Sequence, residues 1–234
     1  MSISKKIIGL TLSLLLASGV AVAADSDKGL EAAQAGDFKT ALAEWTPLAE
    51  QGNADAQYNL GIMYRLGNGV PKNDQTAVKW NTKAAEQGHV DAQYNLGMMY
   101  ANGRGVPEND KTAVKWYTLA AKQGNALAQY ALGFMYANGE GVPENDKTAV
   151  KWYTLAAQQG HADAQGNLGV MYANGEGILT DNRRAYMWFN LGGYNGAGIA
   201  GENKDKIAKQ MTPADISKAQ DMSSACLASN YMDC

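Results

Sequence analysis

The stretch 88–123, GHVDAQYNLGMMYANGRGVPENDKTAVKWYTLAAKQ, returns almost letter for letter at 124–159. Gln-Gly pairs beginning at Gln51, Gln87, Gln123 and Gln159 set the spacing at 36 residues. A constant period of roughly 20 to 50 residues restricts a chain to solenoids, propellers or arrays, in which each unit covers its neighbour's apolar face. Patterning inside the unit selects among them. Ala92, Leu96, Met99 and Tyr100 fall on one helical face, and Ala113, Trp116, Tyr117 and Ala120 on another. With two helical stripes per unit and no strand alternation, the expected fold is all-α: an α-solenoid of antiparallel helix pairs.

Between the stripes lies 102–110, Asn-Gly-Arg-Gly-Val-Pro-Glu-Asn-Asp. Its glycines and Pro107 end the first helix (A) and form a loop. Asp110 is the expected N-cap of the second helix (B), because its carboxylate can accept from an orphan amide at the positive dipole end. Gly124 falls where a helix C-terminus needs a left-handed residue.

These residues resemble the Sel1-like repeats, relatives of the tetratricopeptide repeats. The likeness rests on Ala-Gln-Tyr-x-Leu-Gly-x-Met-Tyr (128–136), the Gly-x-Gly-Val-Pro loop, and Ala-Val-Lys-Trp-Tyr-x-x-Ala-Ala-x-Gln-Gly (149–160). It is strong over 52–159 and decays over 160–195. The resemblance implies a right-handed superhelix, helix A on the concave face, and a non-catalytic adaptor scaffold.

The ends of the chain read differently. Residues 1–24 have the form of a secretory signal: Lys5 and Lys6, an apolar run at 7–16, then small residues at 21–24. The run is shorter than the roughly 20 residues that span a bilayer. A periplasmic or secreted protein with no membrane insertion after cleavage is expected. Residues 25–51 read as a degenerate helical hairpin, with Asp37 capping its second helix, that covers the first of four repeats at 52–195. In the fourth, Leu179 replaces Pro143, and either Asn182 or Asp181 can cap helix B. The remainder, 196–234, reads as C-terminal capping helices near 202–210 and 213–229, the latter opened by Thr212-Pro213-Ala214-Asp215. Cys226 and Cys234 are the only cysteines. An even count in an exported chain favours a disulfide, whereas the terminal place of Cys234 works against one.

Trp80, Trp116, Trp152 and Trp188 occupy one repeat position, and Tyr64, Tyr100, Tyr136 and Tyr172 another. Rings at repeat spacing are expected in the core, where they supply the area that a stacked helix pair must bury. Gly61, Gly97, Gly133 and Gly169 sit inside helix A, where glycine costs roughly 1 kcal/mol against alanine. Close approach of a neighbouring helix explains them, with pairs such as Ala84-Ala85 as the expected facing surface.

Little supports chemistry. His89 and His161 fall just before helix A, where Asn53 and Asn125 stand in other units, and read as helix N-terminal residues. Cysteine-rich relatives suggest a cell-wall hydrolase or a penicillin-binding or β-lactamase-like enzyme. This chain lacks their cysteine pair per repeat, and no Ser-x-x-Lys follows residue 24. Thr76-Ala77-Val78-Lys79 and its copies have a related spacing but mark a packing position. The oxygen-rich loops lack calcium-loop spacing, so no metal and no cofactor is expected. The net charge of −3, without a basic cluster, argues against nucleic acid.

Recognition is better supported. The helix-A stripe beside the buried one carries Asp55, Asn59, Ile62 and Leu66 in the first unit. It continues as Asp91, Asn95, Met98 and Asn102, then Leu127, Ala131, Phe134 and Asn138, then Asp163, Asn167, Val170 and Asn174. Packing positions repeat almost unchanged while this stripe varies. Leu127, Ala131 and Phe134 are apolar where neighbouring units carry acid and amide. The expected partner site is an apolar pocket there, with Asn95 and Asn167 at its rim and Asn59, Met98 and Val170 beside it. It suits a peptide or protein partner bound to a monomer.

Overall fold

The computed structural model describes residues 25–198, 200–231 and 234; the expected leader at 1–24 lies outside them. Among the described residues there are twelve helices and no strand. The hairpin α1 (Ser26–Gln34) and α2 (Phe38–Glu50) comes first. Four A/B pairs follow: α3 (Ala54–Leu66) with α4 (Asp74–Glu86), α5 (Val90–Ala101) with α6 (Asp110–Lys122), α7 (Ala126–Asn138) with α8 (Asp146–Ala157), and α9 (Ala162–Asn174) with α10 (Asn182–Tyr194). Last come α11 (Ala200–Ala208) and α12 (Pro213–Ala228). From α1 to α11 each helix packs on the next, and α12 packs on α10, which makes the chain an α-solenoid of antiparallel helix pairs.

Short polar residues start these helices. Asn73, Asn109 and Asn145 cap α4, α6 and α8, each side chain accepting at 2.9 Å from the backbone N–H three residues on. Asp110 is therefore not the cap. Asn109 holds the extended backbone of an N-cap, and Asp110 is the first helical residue, still placed to favour the dipole. Asp181 caps α10. Gly124 has φ +93°, as the helix exit requires.

Within each pair a glycine of helix A meets a side chain of helix B. A Cβ at Gly97 would stand 2.7 Å from the Tyr117 ring, at Gly133 2.5 Å from Tyr153, and at Gly169 2.7 Å from Phe189. The facing surface is thus the ring at this position, not the alanine pairs. In the first pair the ring is replaced by Asn81, which is fully buried. The tryptophan ladder is likewise less deep than expected. Only Trp188 is buried; Trp80, Trp116 and Trp152 are half-buried covers over unit junctions.

A buried amide ladder joins the units. Gln57, Gln93, Gln129 and Gln165 donate from Nε2 to the carbonyls of Ala49, Ala85, Ala121 and Ala157, at the end of the preceding unit's helix B. Their Oε1 atoms accept from Gln87, Gln123, Gln159 and Asn195, in the unit's own B helix or the turn after it. Each glutamine thereby clamps two consecutive B helices.

At the far end, α12 buries Ala219, Ser223 and Cys226. Cys226 is disulfide-bonded to Cys234, with Cα atoms 5.0 Å apart. Tyr231 is docked, its hydroxyl donating to Asn195 Oδ1 at 3.0 Å. No helix among the described residues is long and apolar enough to cross a membrane.

Candidate functional site: a groove along the A helices

The A helices α7 and α9 touch one another, whereas no two consecutive B helices of the four pairs pack as closely. At this junction the A helices therefore lie on the inner side of the stack. Along that side one niche recurs every 36 residues. Between units two and three it is lined by Ala101, Asn102, Tyr117, Tyr130, Ala131, Phe134, Met135 and Glu140, around about 350 Å³. Between units three and four it is lined by Phe134, Ala137, Asn138, Tyr153, Asn167, Val170, Met171 and Glu176, around about 230 Å³. A third, about 300 Å³, lies between unit four and α11, with Ala173, Asn174, Phe189 and Lys206 among its walls.

The repeat explains each wall. An alanine near the end of helix A (Ala101, Ala137 or Ala173) leaves room over the ring of helix B. The asparagine beside it is held locally: Asn102 donates to the Met98 carbonyl, Asn138 to that of Phe134, and Asn174 to the Glu176 carboxylate. Phe134 is 42 % exposed and belongs to both central niches, forming the ridge between them.

Burial raises the tyrosine hydroxyls of Tyr94, Tyr117, Tyr130 and Tyr153 above their ordinary pKa of 10, which keeps them neutral donors. The polar side chain of Asn167, next to both Tyr130 and Tyr153, opposes this shift. Its counterpart one unit earlier is Ala131. No amide there engages Tyr94 and Tyr117, whose rings lie 5.8 Å apart.

The first junction is built differently. Arg65 stands where Ala101 and Ala137 stand later, and the ring position is Asn81. Arg65 Nε, Asn81 Oδ1 and Asn95 Nδ2 are buried without a hydrogen-bond partner within the protein. Burial raises the Tyr58 hydroxyl above its ordinary value, and the Arg65 charge partly counters it. This junction is polar and cationic where the later ones are apolar and acid-edged.

The residues singled out by sequence are distributed accordingly. Ala131 and Phe134 form the first central niche, and Asn167 and Val170 join Phe134 in the second. Asn95 is only 7 % exposed and lies inside the first junction, not on a rim. Asn59 and Met98 are half-buried on α3 and α5. Leu127, 47 % exposed, stands two turns from Phe134 and lines neither niche. Ala101, Ala137, Tyr117, Tyr153, Glu140 and Glu176 escaped the sequence reading. The contrast between Arg65 and its alanine counterparts was the available signal.

His89 and His161 are N-caps. Their Nδ1 atoms accept from the Ala92 and Ala164 amides at 3.2 and 3.3 Å, and each ring stacks 4.5 Å from a tyrosine, Tyr58 or Tyr130. The lysines of the Thr-x-x-Lys copies, Lys79, Lys115 and Lys151, are exposed, and the threonines Thr76, Thr112 and Thr148 sit in helix-start turns. Neither set forms a nucleophile with a base. Among the described residues no group of three or more His, Cys, Asp or Glu is placed to hold a metal ion.

A stack of two-helix units with a grooved inner side defines a repeat scaffold. Sel1 repeat models match four consecutive segments, 54–89, 90–125, 126–161 and 162–203, and the chain belongs to the Sel1 repeat family. It is similar to the crystal structure of a Sel1 repeat protein from Oxalobacter formigenes, at 37 % identity and TM-score 0.72, over 75 % of this chain and 72 % of that one. It is also similar to c5321, a protective antigen present in uropathogenic Escherichia coli strains that displays an SLR fold. There the identity is 35 % and the TM-score 0.76, over 83 % of this chain and 43 % of that chain. No curated protein matches the chain. Sel1 repeat proteins are generally non-enzymatic scaffolds for protein–protein interaction.

Proposed function

We propose that this protein is a monomeric docking scaffold of the bacterial envelope or exterior, and that it holds a protein or peptide along its A helices. The observation that carries this reading is the exposed Phe134 ridge between two niches of the same construction. A regular row of partly apolar depressions suits an extended segment or a partner helix, whose side chains fill successive hollows. Ala131, Phe134, Asn167 and Val170 line the contact face, with Asn59, Met98 and the exposed Leu127 on the same A helices beside it and Asn95 buried behind it. The Cys226–Cys234 bond and the signal-like residues 1–24 support a place outside the cytoplasm.

The test is capture from an envelope extract by the purified protein. Phe134→Asp places a charge on the ridge without touching the Gly133–Tyr153 contact, and is expected to lose the captured partner. Equal recovery by this variant would remove the groove from the account.

A further inference from the structure

We infer that the first junction is a carboxylate subsite, where Arg65 and Asn95 receive one acidic group of a peptide held along the A helices. The inference rests on the docking reading above and names the ligand group at one end of it. Arg65 is the only lysine or arginine in α3, α5, α7 and α9. Stacking does not need it, since Ala101, Ala137 and Ala173 fill the same position in later units. The walls of the niche between units two and three, counted back by 36 residues, become Arg65, Asn81, Tyr94, Asn95, Met98 and Arg104. An alanine and the edge carboxylate of Glu140 are both replaced by arginine, so the repeat position that is acid-edged later is cationic here.

The polar groups of this junction lack partners of their own. Arg65 is part-buried and makes no hydrogen bond or ion pair with the described residues. Its Nε is buried, while its terminal nitrogens keep contact with solvent. Asn95 is 7 % exposed, and its Nδ2 is buried and unbonded. The Arg65 charge acts on the hydroxyls of Tyr58 and Tyr94, which burial keeps neutral, so two more donors stand near it. Asp91, the acid that acts on Tyr58, accepts from Asn125 and forms no ion pair with Arg65. Among the walls named, these donors outnumber the one orphaned acceptor, Asn81 Oδ1. A planar carboxylate pairs with a guanidinium through two parallel bonds and takes further bonds from amide or hydroxyl donors. A cation would be repelled by both arginines, and an apolar group would leave the donors unmatched.

The test follows the arginine Nε–H signals of the nitrogen-15-labelled protein by NMR at neutral pH and low salt. Arg65, Arg104, Arg183 and Arg184 are the only arginines, and Arg65→Gln assigns the Arg65 signal by its loss. The probes are three N-acetylated alanine tetrapeptides: one with a free C-terminus, one amidated with a single glutamate, and one amidated and neutral. A saturable shift of the Arg65 signal is expected with acidic peptide and none with the neutral one. A response to either acid supports the subsite, and the tighter of the two tells whether a chain end or a side chain is preferred. The signal of Arg183, exposed and outside the junction, is expected to show no saturable shift. Asn95→Leu, verified as folded by circular dichroism, is expected to weaken binding about two- to tenfold through loss of one donor. Equal responses at Arg65 and Arg183, or unchanged affinity in Asn95→Leu, would reduce the effect to general attraction and overturn the inference. An equal response to the neutral peptide, or no response at all, would also overturn it. Loss of the envelope partner in Phe134→Asp would then leave the docking reading standing, whereas equal recovery with an intact Arg65 response would remove the ridge and keep the subsite.

Discussion

The ring of Tyr153 lies against the backbone of Gly133 so closely that a Cβ added there would stand 2.5 Å from it. The same relation binds helix A to helix B in units two and four, through Gly97 with Tyr117 and Gly169 with Phe189. The ring that makes this contact also lines the niche on the inner side, so cohesion of a unit and shape of the groove share one residue.

Gly133→Ala is accordingly expected to destabilise, although alanine is the better helix former by roughly 1 kcal/mol. Overpacking a tight contact costs about 1–3 kcal/mol, and here backbone faces ring with little room to yield. Urea unfolding measures the difference. A gain in stability would show that the contact relaxes freely.

Tyr117 is buried and Trp116 beside it half-buried. Tyr117→Ala is expected to cost about 3–5 kcal/mol, near the usual value for a core aromatic, and Trp116→Ala about half as much. The reverse order in thermal or urea unfolding would put the tryptophan in the core.

Gln93 joins the Ala85 carbonyl to the Gln123 amide. Gln93→Leu removes both bonds, while the Ala85 carbonyl still accepts from the Gly88 amide and the exposed Gln123 still donates to the Gly88 carbonyl. A loss of about 1–3 kcal/mol is expected, the net worth of two hydrogen bonds at roughly 0.5–1.5 kcal/mol each. Near-neutral stability would show that water replaces the glutamine.

His161 caps α9 through a lone pair on Nδ1, so the ring must be neutral there. Burial holds its pKa below the ordinary 6.5, against the pull of Asp163. The unfolded chain therefore takes up the proton first as pH falls. The contribution of His161 is complete above about pH 6.5 and is lost as pH falls from there through the lower folded-state value. His161→Asn, which keeps an N-cap acceptor, is expected to flatten that part of the stability–pH curve. An unchanged slope in the variant would place the effect elsewhere.

Much of this was legible in the sequence, for physical reasons. A constant 36-residue offset and two helical stripes define the solenoid, because stacked units must repeat their packing residues. The variable stripe singled out Phe134, which stands between the two central niches. Neighbouring positions on one face were harder to separate. Trp116 and Tyr117 both turn toward apolar surface, and only the path of helix A decides which goes deeper. Asn109 and Asp110 can both cap, and the backbone at Asn109 decided between them. Gln93 reads as surface on a helix wheel; its burial depends on two carbonyl and amide partners from different units. The niches need two units side by side, so no single copy displays them.

The most direct test of the groove uses a photo-crosslinking amino acid placed at Phe134 on α7 and, in a separate protein, at Leu119, an exposed apolar residue of helix α6. After irradiation in envelope extract, a specific adduct is expected from position 134 and none from position 119. Adducts from position 119 alone would contradict the account.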